Sequence, residues 1–167
     1  MSDIKTIAVG HAVEPAKKAE IPSLIIPIAK RNILLPTVSV AEMLPFVKPQ
    51  LRRTDLPPWF LGAVQWRGVS VPMFSYERLN GEEPLAIKPT SQMAILNSTG
   101  VSAEYPFVCF PTQGIPRLSR VAPDAIKQDI QSSTLAFDQM NVLVNDELVS
   151  IPDVSKIEQA LIDLLHE

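Results

Sequence analysis

The sequence predicts a mainly β fold. Sixteen of its 167 residues are proline, about twice the usual share of roughly 5%. They recur at Pro15, Pro22, Pro27, Pro36, Pro45, Pro49, Pro57, Pro58, Pro72 and onward. Proline is tolerated at strand edges and turns but breaks helix interiors, which excludes long helices over most of the chain. Between the prolines lie short apolar runs, the pattern of strands joined by tight turns. With 46% hydrophobic and 20% charged residues, the length favours one packed domain over two.

Residues 1–20 are small, polar and charged, show no period, and are expected to be a flexible tail ahead of a domain at 21–167. Leu24–Ile28 and Ile33–Leu35, joined by Lys30-Arg31-Asn32, read as a hairpin with a polar tip. Pro36 stops its second arm. Thr37–Leu44 reads as a short strand or a helical turn. Residues 46–58 hold three prolines and the cluster Lys48, Arg52 and Arg53, the composition of a solvated loop. Asn80–Pro89 reads as a linker. Met93–Leu96, Phe107–Phe110 and Leu118–Val121 are strand candidates, with loops at Val101–Tyr105 and Thr112–Pro116. Asp124–Leu135 fits a helical turn. Val142–Val144 and Leu148–Ile151 form a second hairpin pattern, whose tip residues Asn145 and Asp146 tolerate left-handed backbone. In the last stretch Ile157, Ala160, Leu161, Leu164 and Leu165 share one helical face. Ser155 and Glu158 form a capping box there, with Asp153 a competing N-cap.

The most informative stretch is Leu56–Leu79, L-P-P-W-F-L-G-A-V-Q-W-R-G-V-S-V-P-M-F-S-Y-E-R-L. Two apolar runs meet at Trp66-Arg67-Gly68. Gly68 takes a positive φ cheaply, as a tight turn there requires, and Arg67 then stands at the turn, where a charge is easily presented. Trp beside Arg is a composition enriched at binding hot spots. The same Trp66, like Trp59, also suits core packing, because an indole buries a large area.

Catalytic signatures are absent. His11 and His166 lie at the two ends, where no imidazole is well held for a nucleophilic triad. One cysteine, Cys109, gives neither a disulfide nor a thiolate metal site. No phosphate-cradling glycine pattern occurs. Glu82-Glu83 sit in the linker and read as solvated charges. Neither enzyme, cofactor nor metal is expected. A net charge of −3 argues against nucleic acid as a partner. The N-terminus has no leader pattern and no run of 18 apolar residues exists, so a cytoplasmic protein without membrane insertion is expected.

L-G-A-V-Q-W-R-G-V-S-V-P-M-F resembles the G-x-x-x-x-R-G-x-x-x-P stretch of CheW-like domains, the bacterial chemotaxis adaptors. L-L-P-T-V-S-V-A-E-M-L before it and T-Q-G-I-P-R-L after it look like the ChpC-type branch, which serves chemotaxis-like systems controlling type IV pili and twitching motility. The resemblance spans most of residues 21–165. It implies two intertwined five-stranded SH3-like β-barrels with a C-terminal helix. An internal echo agrees: Leu34–Thr37 resembles Cys109–Thr112, and Val69–Pro72 resembles Val149–Pro152, in the same order. The resemblance also implies an adaptor linking a methyl-accepting chemoreceptor's signalling tip to the regulatory domain of a CheA-type histidine kinase. Arg67 and Gly68 match the family's R-G, and Val40 and Glu42 its V-x-E near the docking edge; with Trp66 and Trp59 they are the expected partner-binding residues. Two departures, Gln65-Trp66 for Asn-Leu and Ser75-Tyr76 for Asp-Leu, favour the pilus-type branch. The competing reading is a general barrel module of OB or SH3 type that binds peptide or single-stranded nucleic acid; the latter would need basic residues interleaved with aromatics.

Overall fold

The computed structural model describes residues 19–167; the expected tail, but for Ala19 and Glu20, and His11 with it, lies outside the described residues. In chain order the strands are β1 (Ile21–Pro27), β2 (Asn32–Pro36), β3 (Val40–Pro45), β4 (Phe60–Trp66) and β5 (Val69–Phe74), then β6 (Gln92–Asn97), β7 (Phe107–Thr112), β8 (Arg117–Val121), β9 (Ile126–Asp129), β10 (Asp138–Val144) and β11 (Glu147–Pro152). A one-turn helix α1 (Tyr76–Leu79) follows β5, and α2 (Val154–Leu165) follows β11. A single 3-10 turn spans Thr37–Ser39, so both readings of Thr37–Leu44 apply, one after the other.

The strands form two sheets, ordered β8-β1-β2-β11-β10-β9 and β3-β6-β7-β5-β4. Each sheet curls around its own apolar filling. Val64, Trp66, Val71, Met73, Met93, Ile95 and Cys109 fill the five-stranded barrel, and Ala41 and Leu44 of β3 join them. First and last strands therefore face one interior. Ile25, Leu34, Val121, Val142, Val144 and Val149 fill the six-stranded barrel. A third core lies between the barrels and takes in α2 through Ile157, Leu161 and Leu164. The helix buries the stripe its sequence spacing marks out.

The echo in the sequence maps onto this topology. β2 pairs in parallel with β11 through Ile33 and Ser150, and β7 pairs in parallel with β5 through Met73 and Cys109. The two echoed segments thus hold equivalent places in the two sheets. The correspondence extends further: Gln50 bridges Ala63 outside β4, where β9 flanks β10 in the other sheet. One sheet therefore has a sixth strand and the other a single-bridge remnant of it.

Three details differ from the sequence expectations. Asp124–Leu135 holds a turn, closed by Ala125 N–H donating to the Ala122 carbonyl at 3.0 Å, and then the strand β9; pairing with β10 overrides a stretch with no period of its own. Asp153, not Ser155, caps α2, its carboxylate accepting from Lys156 N–H at 3.1 Å. Glu82 is not merely solvated, because it pairs with Arg31 at 3.1 Å.

α1 wedges between the barrels, and Tyr76, Glu77 and the capping Asn80 reach across. Tyr76 Oη donates to Asp138. Glu77, fully buried, accepts from Ala29 N–H and Gln113 Nε2, both at 3.3 Å. Asn80 Oδ1 accepts from Phe137 N–H at 2.7 Å. Arg31 completes the joint: it pairs with Asp138 at 2.6 Å and lies 5.4 Å over the Tyr76 ring. Burial is the largest single influence on Arg31 and works against its charge, but the bond to Asp138 and the charges of Asp138 and Glu82 together outweigh it and raise its pKa. Burial, then the Asp138 bond, likewise raise that of Tyr76.

Candidate functional site

The β4–β5 hairpin closes in two residues between the paired Trp66 and Val69. Arg67 has φ 47° and Gly68 φ 77°. Two successive left-handed residues make the turn whose twist matches the strands. Glycine takes that backbone freely, but an arginine gives up about 1 kcal/mol there. Asn145 and Asp146 build the same turn between β10 and β11, at φ 48° and 67°.

Glu42 reaches this turn from β3. A bulge between Val40 and Glu42 breaks the alternation of β3. Val40 and Met43 pack on the core between the barrels, while Ala41 and Leu44 enter the five-stranded barrel. Glu42 Oε1 accepts from Trp66 Nε1 at 2.8 Å, and its Oε2 lies 3.3 Å from the Arg67 guanidinium. Arg67 stacks 4.8 Å over the Trp66 ring, and Phe107 meets that ring edge-on at 4.9 Å. β3 and β4 are the two ends of their sheet, so the Glu42–Trp66 bond ties the barrel's seam.

Exposure divides the roles. Trp66 is only 9% exposed, and its indole fills the barrel with its N–H satisfied. Glu42 is 34% exposed and Arg67 69% exposed. Arg67 is thus a cation presented on a fixed aromatic and acidic base. The structure brings Glu42, Trp66, Arg67 and Gly68 together and sets Val40 two residues away on β3. Trp59 does not join them: it precedes β4, at the far end from the turn, a strand length on the order of 20 Å. It packs half-buried on the core between the barrels, edge-on to Phe60. It borders an open hollow of about 370 Å³ with Arg78, Glu82 and Glu83.

Phe107, the residue against Trp66, was not legible in the sequence. Nor was the pairing of Glu42 with Trp66, 24 residues apart, since no local pattern marks a contact across a barrel seam. Among the described residues no cluster of His, Cys, Asp and Glu fits a metal ion, and no helix is long and apolar enough to cross a membrane. Burial pushes the Cys109 thiol up to about 12, a neutral core side chain.

Two curled sheets packed on a common core, with an exposed cation mounted on the seam of one of them, define a double-barrel module. Comparison with known proteins identifies the class. The CheW-like domain profile matches residues 22–161, and the chain belongs to the CheW-like domain family, whose members are non-catalytic scaffolding adaptors of chemotaxis. Among solved structures, scaffolding protein TtCheW from Thermoanaerobacter tengcongensis shares the fold with TM-score 0.67. The two are 15% identical over 80% of this chain and 88% of that one. A search of curated proteins finds no match.

Proposed function

We propose that this chain is a cytoplasmic adaptor coupling a chemoreceptor's signalling tip to the regulatory domain of a CheA-type histidine kinase. The system is of the ChpC type, controlling type IV pili and twitching motility. One observation carries the reading: Arg67 occupies a left-handed turn position that arginine fills at a cost, and its guanidinium is 69% exposed above the Trp66–Glu42 base. Backbone strain accepted at an exposed site points to a use for the side chain. Trp66 contributes as the platform and Glu42 as the seam partner that orients Arg67; Gly68 closes the turn and Val40 extends the face along β3. Trp59 belongs to a separate part of the surface. The pilus branch rests on Trp66-Arg67-Gly68 and on Ser75-Tyr76, where Tyr76 has a bonded role.

Titration of the kinase regulatory domain and of the receptor tip, each alone, against the Arg67→Ala variant tests this. Loss of a hot-spot arginine costs about 2 kcal/mol or more, roughly thirtyfold in affinity, for at least one partner. Normal binding of both by a variant that melts much lower would make Arg67 structural and overturn the reading.

A further inference from the structure

A second surface lies apart from the seam, at the end of the five-stranded sheet where β6 begins and β7 finishes. Leu85 and Ile115 are 56% and 77% exposed and line one hollow of about 220 Å³ with Ala86, Lys88, Gln113 and Gly114; Ile87 is also exposed beside it. Exposed aliphatic side chains gathered from two separate segments mark an interaction site more often than scattered ones do.

Both walls are held in place. Lys88 N–H donates to Ser91 Oγ at 2.9 Å, and Ser91 N–H donates back to the Lys88 carbonyl at 2.9 Å. Opposite, Gln113 N–H donates to the Pro27 carbonyl at 2.9 Å and Thr112 Oγ1 to the Gly114 carbonyl at 3.3 Å. The hollow is therefore preformed, which limits the ordering cost of filling it. Its size suits one bulky side chain.

The charge beside it is positive. Lys88 is exposed in the wall, and neither it nor exposed Lys30 pairs with a carboxylate among the described residues. Lys30 stands close by, because its neighbour Ala29 and the wall residue Gln113 donate to the same Glu77 oxygen. The nearest free carboxylate along the chain, Glu83, lines the Trp59 hollow instead.

We infer that this hollow docks a protein segment carrying one bulky apolar side chain flanked by carboxylates. The apolar side chain sits between Leu85 and Ile115, and the carboxylates meet Lys88 and Lys30. The surface is independent of Arg67, so the partner it takes binds alongside those of the seam.

A labelled seven-residue peptide with one central Phe between Glu and Asp residues is the probe, read by fluorescence anisotropy against the full chain. It should bind saturably, and Ile115→Asp and Lys88→Glu should each weaken it about tenfold or more without moving the melting temperature. A peptide with lysine flanks should not bind, and Arg67→Ala should leave acidic-peptide binding unchanged, which separates this surface from the proposed adaptor contact. Absence of saturable binding, equal binding of the lysine-flanked peptide, or insensitivity to Ile115→Asp overturns the proposal. So does a dimer in sedimentation that Ile115→Asp dissolves, since the occupant would then be a second copy of the chain.

Discussion

Removing Glu42 and removing Arg67 should have unequal consequences, although the two side chains touch. In Glu42→Ala the Trp66 indole N–H loses its acceptor at 2.8 Å in a residue only 9% exposed. An unsatisfied buried donor costs about 1–3 kcal/mol. For a domain of this size that lowers Tm by about 2–12 °C. Arg67→Ala removes an ion pair at 3.3 Å whose cation is 69% exposed. Such a pair contributes about 0–1 kcal/mol, and the stacking on Trp66 about 0.5–1 kcal/mol more. Glu42→Gln separates the two effects, because its amide oxygen still accepts from the indole while the charge is gone; it should resemble Arg67→Ala. Urea unfolding of the three variants, followed by Trp fluorescence, checks the order. If Arg67→Ala is the most damaging, or Glu42→Ala costs nothing, then the indole bond does not hold the seam and the division of roles fails.

The other predictions concern the rest of the frame. Gly62→Ala should destabilise by more than about 2 kcal/mol in urea unfolding: at φ +122° an added Cβ would stand 2.4 Å from the Gln50 carbonyl oxygen. At the joint, Arg31→Met should cost about 3–5 kcal/mol because it leaves the buried Asp138 carboxylate without its counter-ion. Tyr76→Phe should cost only about 1–2 kcal/mol, since Asp138 keeps Arg31; the reverse order in chemical denaturation would refute the joint as drawn. Cys109 should resist thiol reagents until the chain unfolds. Its folded pKa is raised from 9.0 to about 12 by burial, so its contribution is fully present below pH 9 and declines as pH rises from there toward 12. Alkaline unfolding of Cys109→Ala should lack that component.

What the sequence made legible and what it hid differ in range. The hairpin turns at Gly68 and at Asn145-Asp146 were readable because left-handed backbone selects few residue types. The α2 stripe was readable because its period repeats through three turns. The four residues of α1 show no period, though Ser75, whose hydroxyl accepts from Arg78 N–H at 3.2 Å, is the cap that marks it. β9 was hidden because its two middle residues, Lys127 and Gln128, are both exposed and only the partner strand β10 decides its conformation. At the site, Arg67 and Gly68 were visible as a turn. That Trp66 would spend its face on the barrel interior and its N–H on Glu42 depends on which strands meet when the sheet curls.

The insertion of one barrel, β3 to β7, between the second and third strands of the other bears on how the chain can be assembled. β1 and β2 arrive first, yet their sheet is completed by strands from β8 onward. The parallel contact of Ile33 with Ser150 spans most of the chain. Pairings so distant in sequence are slow to form, because a large loop must close before any contact compensates. During synthesis the five-stranded barrel, complete at β7, can close while the β1–β2 hairpin still waits for its partners. Cutting the chain in the 80–91 linker should therefore yield two fragments that remain incomplete alone. Mixed together, they should recover a single cooperative transition, since each holds strands the other's sheet lacks.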